Sequence, residues 1–402
     1  MLQQQRRQED NVVLMNYDEI LNPITVSLKP SGIRKYFDIA STMEDVVSLG
    51  VGEPDFYTPW HIRQSGISSL EAGYTRYTAN SGMAELREEI AGYYDRKFGV
   101  KYCGSTDVLV TVGGSEAIDA AFRAIISEGD EVIIPEPSFV CYSPLVSLCR
   151  GVPVPLKTTV ENNFRITPEQ LSSVITDKTK MLVLPYPNNP TGGIMEKEYL
   201  EAIAGILRNT NIIILSDEIY AELTYGGKHH VSIASIDGMK ERTVVANGFS
   251  KSYSMTGWRL GYALGPKEII KQMTKIHQFG IMSAPTTSQY AAIEALKNGD
   301  GDIIKMRDEY DMRRKFLLKG LKKAGLDCFE PLGAFYAFPS IEKSGMSSDE
   351  FCEKLLYSKH VAVIPGTAFG ESGEGHIRVS YCYSLDHLKT ALEKIEEFMS
   401  EI

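Results

Sequence analysis

NGFSKSYSMTGWRLGY, residues 247–262, is a loop rich in small residues that follows a strand-like run, residues 243–246. Its two basic residues, Lys251 and Arg259, lie eight positions apart. An amine in a confined pocket condenses with an aldehyde, and a planar guanidinium holds a phosphate through paired hydrogen bonds. The pair therefore suggests a Schiff-base lysine beside a phosphate clamp. Because short motifs match by chance, two solvated loop cations are the alternative.

A second segment has the pattern of a strand, a tight turn and a helix start. Residues 108–112 are β-branched and apolar, two glycines follow, and residues 115–126 have a helical period. Free backbone N–H groups of Gly114, Ser115 and Glu116 would face an anion at the positive end of the helix dipole. Neither GxGxxG nor GxxxxGK[ST] occurs here, so dinucleotide and nucleoside triphosphate sites lose support. A plain Gly-Gly turn is the alternative.

Two further strand patterns end in polar residues. Residues 180–186 lead into a rigid PNNPTGG loop, in which Asn189 would donate to a phenolate oxygen. Asp217 follows the apolar run 211–215, and an acid there is costly unless it meets a cation such as a protonated pyridine nitrogen. Tyr220, three residues later, would reach the oxygen beside that ring. The alternatives are an ordinary Asn-Pro turn and a helix cap at Asp217.

The last segment, residues 375–381, has Arg378 inside an alternating strand pattern. Its guanidinium suits a substrate α-carboxylate, and a solvated strand arginine is the alternative. Each segment alone is a weak match. Asn189, Asp217 and Lys251 nevertheless follow strand patterns in the order in which successive βα units would present them at one sheet edge, where ligands bind. Together they favour pyridoxal phosphate as the cofactor.

With these motifs the chain resembles the fold type I pyridoxal-phosphate enzymes, specifically the prokaryotic class I aminotransferases related to aspartate and aromatic aminotransferases. The resemblance covers nearly the whole chain. It includes Leu49-Gly50-Val51-Gly52-Glu53-Pro54-Asp55-Phe56, Tyr77, Pro137-Ser138-Phe139 and Arg378, and the PSGIRKYF segment, residues 30–37. It implies an α/β fold, with a large domain of mostly parallel sheet flanked by helices and a smaller α+β domain.

The resemblance also implies a role for each residue around the cofactor ring. Lys251 would form the Schiff base and later carry the proton, and Asp217 would keep the pyridine nitrogen protonated. Asn189 and Tyr220 would stabilise the phenolate oxygen O3′. Phe139 would stack on the ring, and because many relatives have a tryptophan there, this chain lacks the indole N–H at that position.

The phosphate and substrate contacts follow from the same resemblance. Arg259 and the turn at residues 114–116 would hold the phosphate, and Tyr77 would reach the phosphate of the partner subunit, which implies a homodimer with shared active sites. Arg378 would bind the substrate α-carboxylate, with the Gly52 backbone close by. Asn189 would also contact the substrate.

One position departs from the family pattern near the lysine. Many relatives carry a hydroxyl residue three positions before it, where this chain has Gly248. The phosphate would then lose one donor or recruit Ser250 instead.

Alternating strand and helix patterns extend from about residue 53 to 296, which predicts a mostly parallel sheet. Gly299-Asp300-Gly301-Asp302 predicts a break before a long amphipathic helix, residues 303–324. We expect a large cofactor-binding domain and a small discontinuous domain. The large domain would be residues 51–299, and the small one residues 1–50 together with 300–402.

The charge and hydropathy argue against two classes of partner. The 402 residues carry a formal net charge of −10, which argues against nucleic acid. No run approaches the roughly 18–20 apolar residues of a membrane span, and the polar start lacks a signal-peptide core. We expect a cytoplasmic protein with small-molecule partners, no nucleic acid and no membrane.

Cysteine and histidine usage indicates neither disulfides nor a metal. The six cysteines have no CxxC pairing, so we interpret them as reduced thiols. We interpret the pair His229-His230, in a Gly-Gly-Lys loop, as a solvated turn, and we propose no metal.

The predicted activity is transfer of an amino group between an L-amino acid and a 2-oxo acid such as 2-oxoglutarate. An aromatic amino acid is the first choice of donor and aspartate the second. Two alternatives stay open because the fold does not choose the chemistry. One is a β-lyase or another enzyme on the same scaffold, and the other is a non-catalytic regulator that binds the cofactor.

Overall fold

The computed structural model describes residues 15–30 and 32–402. The chain divides into two compact units, Met1–Pro30 and Ser31–Ile402. The described part of the first unit has two short helices, α1 (Tyr17–Ile20) and α2 (Pro23–Ser27). The helix α2 begins where it does because Asn22 accepts a hydrogen bond from the Ile24 N–H and a proline occupies its first position.

The second unit contains the remaining helices and all strands of the described chain. The strands are β1 (Val47–Ser48), β2 (Val108–Thr111), β3 (Glu131–Glu136), β4 (Val152–Lys157), β5 (Thr179–Leu184), β6 (Ile213–Asp217), β7 (Thr243–Gly248), β8 (Gly261–Leu264), β9 (Tyr336–Ala337), β10 (Val361–Ala362), β11 (Ile364–Pro365) and β12 (Ile377–Ser380). The helices are α3 (Gly32–Ser41), α4 (Trp60–Glu71), α5 (Ala84–Phe98), α6 (Gly114–Ile125), α7 (Tyr142–Leu148), α8 (Pro168–Val174), α9 (Lys197–Leu207), α10 (Lys267–Gly280), α11 (Thr286–Asn298), α12 (Asp300–Lys323), α13 (Ser348–Lys359) and α14 (Leu385–Glu401).

A central sheet has seven of the described strands in the order β2-β8-β7-β6-β5-β3-β4. Only β8 is antiparallel to its neighbours, and in the parallel part Leu182 pairs with Ile214 and Leu215 with Val244. The strands β2, β7 and β8 are buried at every residue, because helices cover both faces of the sheet. The predicted mostly parallel sheet in an α/β fold is confirmed.

Two smaller sheets consist of the C-terminal strands β9 to β12 and of β1. The strands β11, β12 and β9 form an antiparallel sheet, and β1 pairs in parallel with β10. Their apolar residues share one core with α12, α13 and α14. The division into domains at residues 51 and 300 stays a prediction, and residues 1–14 of the proposed small domain lie outside the described residues.

The chain differs from two local expectations. The predicted break at residues 299–302 is confined to Gly299, because α11 ends at Asn298 and α12 already begins at Asp300. Asp300 and Asp302 lie in the first turn of α12, where the positive end of the helix dipole stabilises carboxylates. The helix-cap alternative for Asp217 is wrong. Asp217 ends β6, and its carboxylate accepts a hydrogen bond from the Ile219 N–H (3.2 Å) in a turn rather than in a helix.

None of the helices in residues 15–30 and 32–402 has an apolar stretch long enough to cross a membrane. Within the same residues, no cluster of three or more His, Cys, Asp and Glu side chains has the arrangement of a metal site.

Candidate active site

The carboxyl ends of β5, β6 and β7 are neighbours in the sheet, and the side chains that follow them line one cavity of about 400 Å³. The predicted residues that line it are Gly52, Gly114, Ser115, Phe139, Asn189, Asp217, Tyr220, Ser250, Lys251, Arg259 and Arg378. Residues that are up to 326 positions apart in sequence (Gly52 and Arg378) therefore meet at one edge of the sheet.

Lys251 follows β7 by three residues and directs its amine into the cavity. Nζ donates to the Gly52 carbonyl oxygen at 2.7 Å, and it lies 5.9 Å from the Tyr220 ring centroid. Burial lowers the pKa of Lys251 to about 8, because the charged amine has lost water. Part of the amine is therefore neutral near physiological pH.

Asp217 is 8% exposed and has two hydrogen-bond donors in the described chain. The Tyr142 hydroxyl donates to one carboxylate oxygen at 2.7 Å, and the Ile219 N–H donates to the other. Burial raises the pKa of Asp217, although both donors act in the opposite direction. A buried carboxylate at a cavity wall whose two hydrogen-bond partners are both neutral fits a ligand that brings a positive charge.

Arg378 on β12 is buried, and its guanidinium lies between two aromatic rings, 4.5 Å from the Tyr336 centroid and 4.8 Å from the Phe369 centroid. It donates to Asn189 Oδ1 (3.0 Å) and to the Gly50 carbonyl oxygen. Its Nε has no hydrogen-bond partner, and no carboxylate of the described residues lies within 4.0 Å of the guanidinium. The guanidinium of Arg378, without a carboxylate partner, fits an anionic ligand. Because Arg378 bonds the amide oxygen of Asn189, the amide N–H₂ group of Asn189 stays free to donate.

The Gly-Gly turn after β2 lies against Arg259. A Cβ on Gly113, which has φ +80°, would be 2.6 Å from an Arg259 nitrogen, so the bare turn allows the guanidinium to approach. No side chain caps α6, and its first N–H groups have no intrahelical acceptor. The turn and the guanidinium together fit a phosphate group.

Two predicted positions, Glu116 and Tyr77, do not line the cavity in the single chain. Glu116 directs its carboxylate to the Val112 N–H (2.5 Å) and to His277 Nδ1 (2.6 Å). Tyr77 is 82% exposed. A Cβ on Gly248 would lie 3.0 Å from Gly261 Cα, so two backbones pack closely three positions before Lys251.

Sequence reasoning missed two tyrosines of this site. Tyr142 holds Asp217, and the Tyr336 hydroxyl lies 2.9 Å from the Tyr220 hydroxyl. A Cβ on Gly52 would be 1.8 Å from the Tyr336 oxygen, so the glycine makes room for this ring. The β9 strand pattern around Tyr336 gave no sign of a polar contact 116 residues away.

Comparison with known proteins defines the class. The model of the family "Aminotransferase class I and II" matches residues 44–395. The YugH protein of Bacillus subtilis (strain 168) is 51% identical over 94% of this chain and 98% of its own length. Its name gives an inferred aminotransferase activity and no substrate. An aspartate aminotransferase of Pyrococcus abyssi is 43% identical over 93% and 97%.

A solved structure, the aromatic aminotransferase of Pyrococcus horikoshii OT3, superposes with a TM-score of 0.87 at 41% identity, over 92% of this chain and 99% of that one. The chain belongs to the class I and II aminotransferase family. It is a transaminase of fold type I and depends on pyridoxal phosphate, as this family does.

The residues of the cavity fit that cofactor. The aldehyde needs a partly neutral amine, which Lys251 offers. The protonated ring nitrogen needs a buried carboxylate, which is Asp217. The phosphate needs N–H donors with a cation, and the Gly113 turn beside Arg259 provides both.

Proposed function

We propose that the chain transfers the amino group of an L-amino acid to a 2-oxo acid such as 2-oxoglutarate, with Lys251 as the residue that bonds to the cofactor. The observation that carries this proposal is the Lys251 amine, which lies in the cavity with a single carbonyl partner and a pKa lowered to about 8. Bound pyridoxal phosphate supplies an electron-withdrawing ring that stabilises negative charge on the substrate carbon.

Lys251 acts twice. Its neutral amine would hold the cofactor through the aldehyde group, and with substrate bound in its place the freed amine would remove and return the proton of the substrate carbon. The burial that lowers the pKa of Lys251 makes the neutral form available for both steps.

Asp217 would hold the proton on the ring nitrogen of the cofactor. The Tyr142 hydroxyl fixes the carboxylate orientation, and a cationic ring would compensate the desolvation of Asp217. Tyr220 and the Asn189 amide would donate to the oxygen on the ring, and Phe139 would pack against the ring face.

Arg378 binds the α-carboxylate of both substrates, and its aromatic neighbours fix the plane of its guanidinium. Arg259, Ser115 and the N–H groups of the α6 start bind the phosphate, with Ser250 as a further hydroxyl donor. Glu116 contributes through its backbone N–H, since its carboxylate is held by Val112 and His277.

The proposed donor is an aromatic amino acid. Of the described residues that line the cavity, the basic ones are Lys251, Arg259 and Arg378. Their proposed partners are the cofactor aldehyde, the cofactor phosphate and the substrate α-carboxylate, respectively. The rest of the wall is largely apolar and includes Ile33 and Val51. Aspartate is the second choice, because its distal carboxylate needs a cation that this set lacks.

The test is a panel of amino-acid donors in single half-reactions, followed by the cofactor absorbance. Aromatic donors are expected to convert the cofactor to its amine form fastest, with aspartate slower by about tenfold or more, the cost of an unpaired charge in an apolar pocket. A β-lyase would instead return to the aldehyde form without a 2-oxo acid. Fastest conversion by aspartate would reject the proposed donor class.

We further propose a cytoplasmic homodimer that serves amino-acid metabolism. Tyr77 extends into solvent in the single chain, which supports a contact with the phosphate bound by a second copy.

A further inference from the structure

Glu218 follows Asp217 directly, yet its carboxylate does not line the cavity and is completely buried. One oxygen accepts from the hydroxyls of Ser216 (2.9 Å) and Ser232 (2.7 Å). The other accepts from the Tyr94 hydroxyl (3.2 Å) and lies 3.2 Å from His230 Nε2. We call these residues, together with Asn247, the Glu218 cluster.

The other residues of the cluster compensate the buried charge of Glu218, which is the neighbour of Asp217 in sequence. Burial acts to raise the pKa of Glu218, but the nearby His230 and the hydroxyl donors outweigh it, so the net pKa is lowered. The His230 side chain is only 7% exposed, so the interpretation of His229-His230 as a solvated turn is wrong for His230. An anion in such a place without these partners would be strongly destabilising.

Tyr94 connects this charge to the strand that leads to Lys251. Its hydroxyl donates to Glu218 and accepts from Asn247 Nδ2 at 2.8 Å. Asn247 in turn accepts from the Gly248 N–H through Oδ1 at 2.7 Å. A single buried hydroxyl therefore joins the residue after Asp217 to a residue four positions before Lys251.

The backbone of Asn247 also lies at the phosphate side of the cavity. A Cβ on Gly261 would be 2.9 Å from the Asn247 carbonyl oxygen and 2.5 Å from the Gly114 N, so these backbones are in close contact. A shift of Asn247 would therefore reach the Gly113–Gly114 turn as well as the Lys251 loop. Neither Tyr94 nor Asn247 lines the cavity itself.

We propose that Tyr94 is a positioning residue of this enzyme, whose hydroxyl, held by Glu218, fixes Asn247 and thereby sets the Lys251 loop relative to Asp217. The inference rests on the proposed function, because it requires Lys251 and Asp217 to act on one bound group. Its contribution is geometrical: Tyr94 touches neither substrate nor cofactor.

The test compares Tyr94→Phe with Tyr93→Phe. Tyr93 is the matched control, because it lies on the same helix, is equally buried at 3% exposure against 0%, and also donates its hydroxyl to a carboxylate, Glu222 Oε1 at 2.6 Å. Each variant removes one oxygen. Tyr94→Phe leaves Glu218 and Asn247 each with one lost hydrogen bond, and Tyr93→Phe leaves Glu222 with one. Melting temperatures should therefore fall in both variants, and further in Tyr94→Phe.

Three readouts separate positioning from stability. In the holoenzyme, Tyr94→Phe is expected to shift the pH midpoint of the cofactor absorbance by roughly 0.5 units and to weaken cofactor binding about fivefold, the size of one ordinary hydrogen bond. In the cofactor-free protein, amide exchange in residues 243–251 should accelerate. Tyr93→Phe should leave the midpoint, the affinity and that exchange as in the wild type.

The outcomes distinguish this inference from the proposed function. Equal midpoints, affinities and exchange in both variants would overturn the role of Tyr94 alone. A wild type whose absorbance does not depend on pH, and is unchanged by Lys251→Ala, would overturn the function and this inference together. If Tyr94→Phe does not fold, Asn247→Ser removes the same bridge from the other side, and an unshifted midpoint there would equally reject the proposal.

Discussion

At the scale of single residues, the site depends on charges that the fold leaves without a compensating partner. Lys251, Asp217 and Arg378 are each desolvated, and none forms an ion pair with another side chain of the described chain. Buried charges are normally paired, so three such groups around one cavity indicate that ligands complete the set. These buried charges without ion-pair partners lower the stability of the cofactor-free fold, and bound cofactor and substrate compensate for the loss.

The buried Lys251 gives a pH-dependent stability in the cofactor-free protein. Its folded-state pKa of about 8 lies below the usual 10.5, so the folded chain binds fewer protons than the unfolded chain between these values, and stability rises with pH there. Lys251→Met removes the buried charge and should raise the melting temperature by roughly 2–4 °C at pH 7. The gain should shrink towards pH 10, as thermal unfolding at several pH values would reveal. A gain that is independent of pH would contradict the lowered pKa.

Arg378→Lys tests the α-carboxylate contact. A lysine keeps the charge but cannot bond Asn189, Gly50 and a carboxylate at once, so the apparent dissociation constants for amino acid and 2-oxo acid should both rise by about tenfold or more. Half-reaction titrations measure the two constants separately. A change for only one of the two substrates would mean that Arg378 contacts a side chain instead.

At the scale of elements, three helices meet at one histidine. His61 on α4 bonds Glu294 on α11 through Nδ1 (2.7 Å) and Asp302 on α12 through Nε2 (2.9 Å). Both nitrogens face carboxylates, so the imidazole is doubly protonated where both bonds form. The contact ties the start of the long helix α12 to the pair α4 and α11, which pack on each other.

His61→Gln should reveal this link through its pH dependence. Partial burial lowers the pKa of His61, but the bonds to Asp302 and Glu294 outweigh it, so the net pKa is raised. The contribution is complete below the unfolded value of about 6.5 and is lost as pH rises through the folded pKa. The variant should therefore melt a few degrees below wild type at pH 5.5, with a smaller gap at pH 9. The exposed His229, changed to Gln, is the control, and an equal gap at both pH values would argue against the charged bridge.

At the scale of the whole molecule, a single chain leaves large aromatic side chains in solvent. Tyr57, Tyr77 and Phe279 are 87%, 82% and 88% exposed. Large exposed apolar side chains favour burial against another surface, and most oligomers of one chain pair through a two-fold axis. This supports the proposed homodimer, in which Tyr77 serves the site of the second copy.

Mixing two inactive variants tests the shared site. Lys251→Ala lacks the bonding amine, and Tyr77→Phe should bind cofactor more weakly. Subunit exchange produces heterodimers in which one site has both intact residues, so activity at limiting cofactor should recover to about half of the sites in each heterodimer. Sedimentation and a mass tag on one variant establish the exchange. No recovery despite proven exchange would leave Tyr77 as a local surface residue.

The sequence by itself determined the features that local chemistry dictates. Apolar runs with β-branched residues predicted β2, β5, β6 and β7, and the polar residues after them predicted a site at their carboxyl ends, which is where the cavity lies. These signals are readable because strand burial and turn chemistry depend on neighbours a few positions away. The start of α12 was missed, because two glycines and two acids are typical of a break and equally of a helix N-terminus.

Only the tertiary structure decided which distant side chains meet. Tyr336 reaches Tyr220 across 116 positions, and Tyr94 reaches Glu218 across 124, and neither pair has a spacing that a periodic pattern encodes. His230 looked like part of a polar loop, yet folding buries it against Glu218. Such contacts depend on how strands and helices pack over the whole chain, and the desolvation that shifts the pKa of Lys251 exists only once that packing has closed around the cavity.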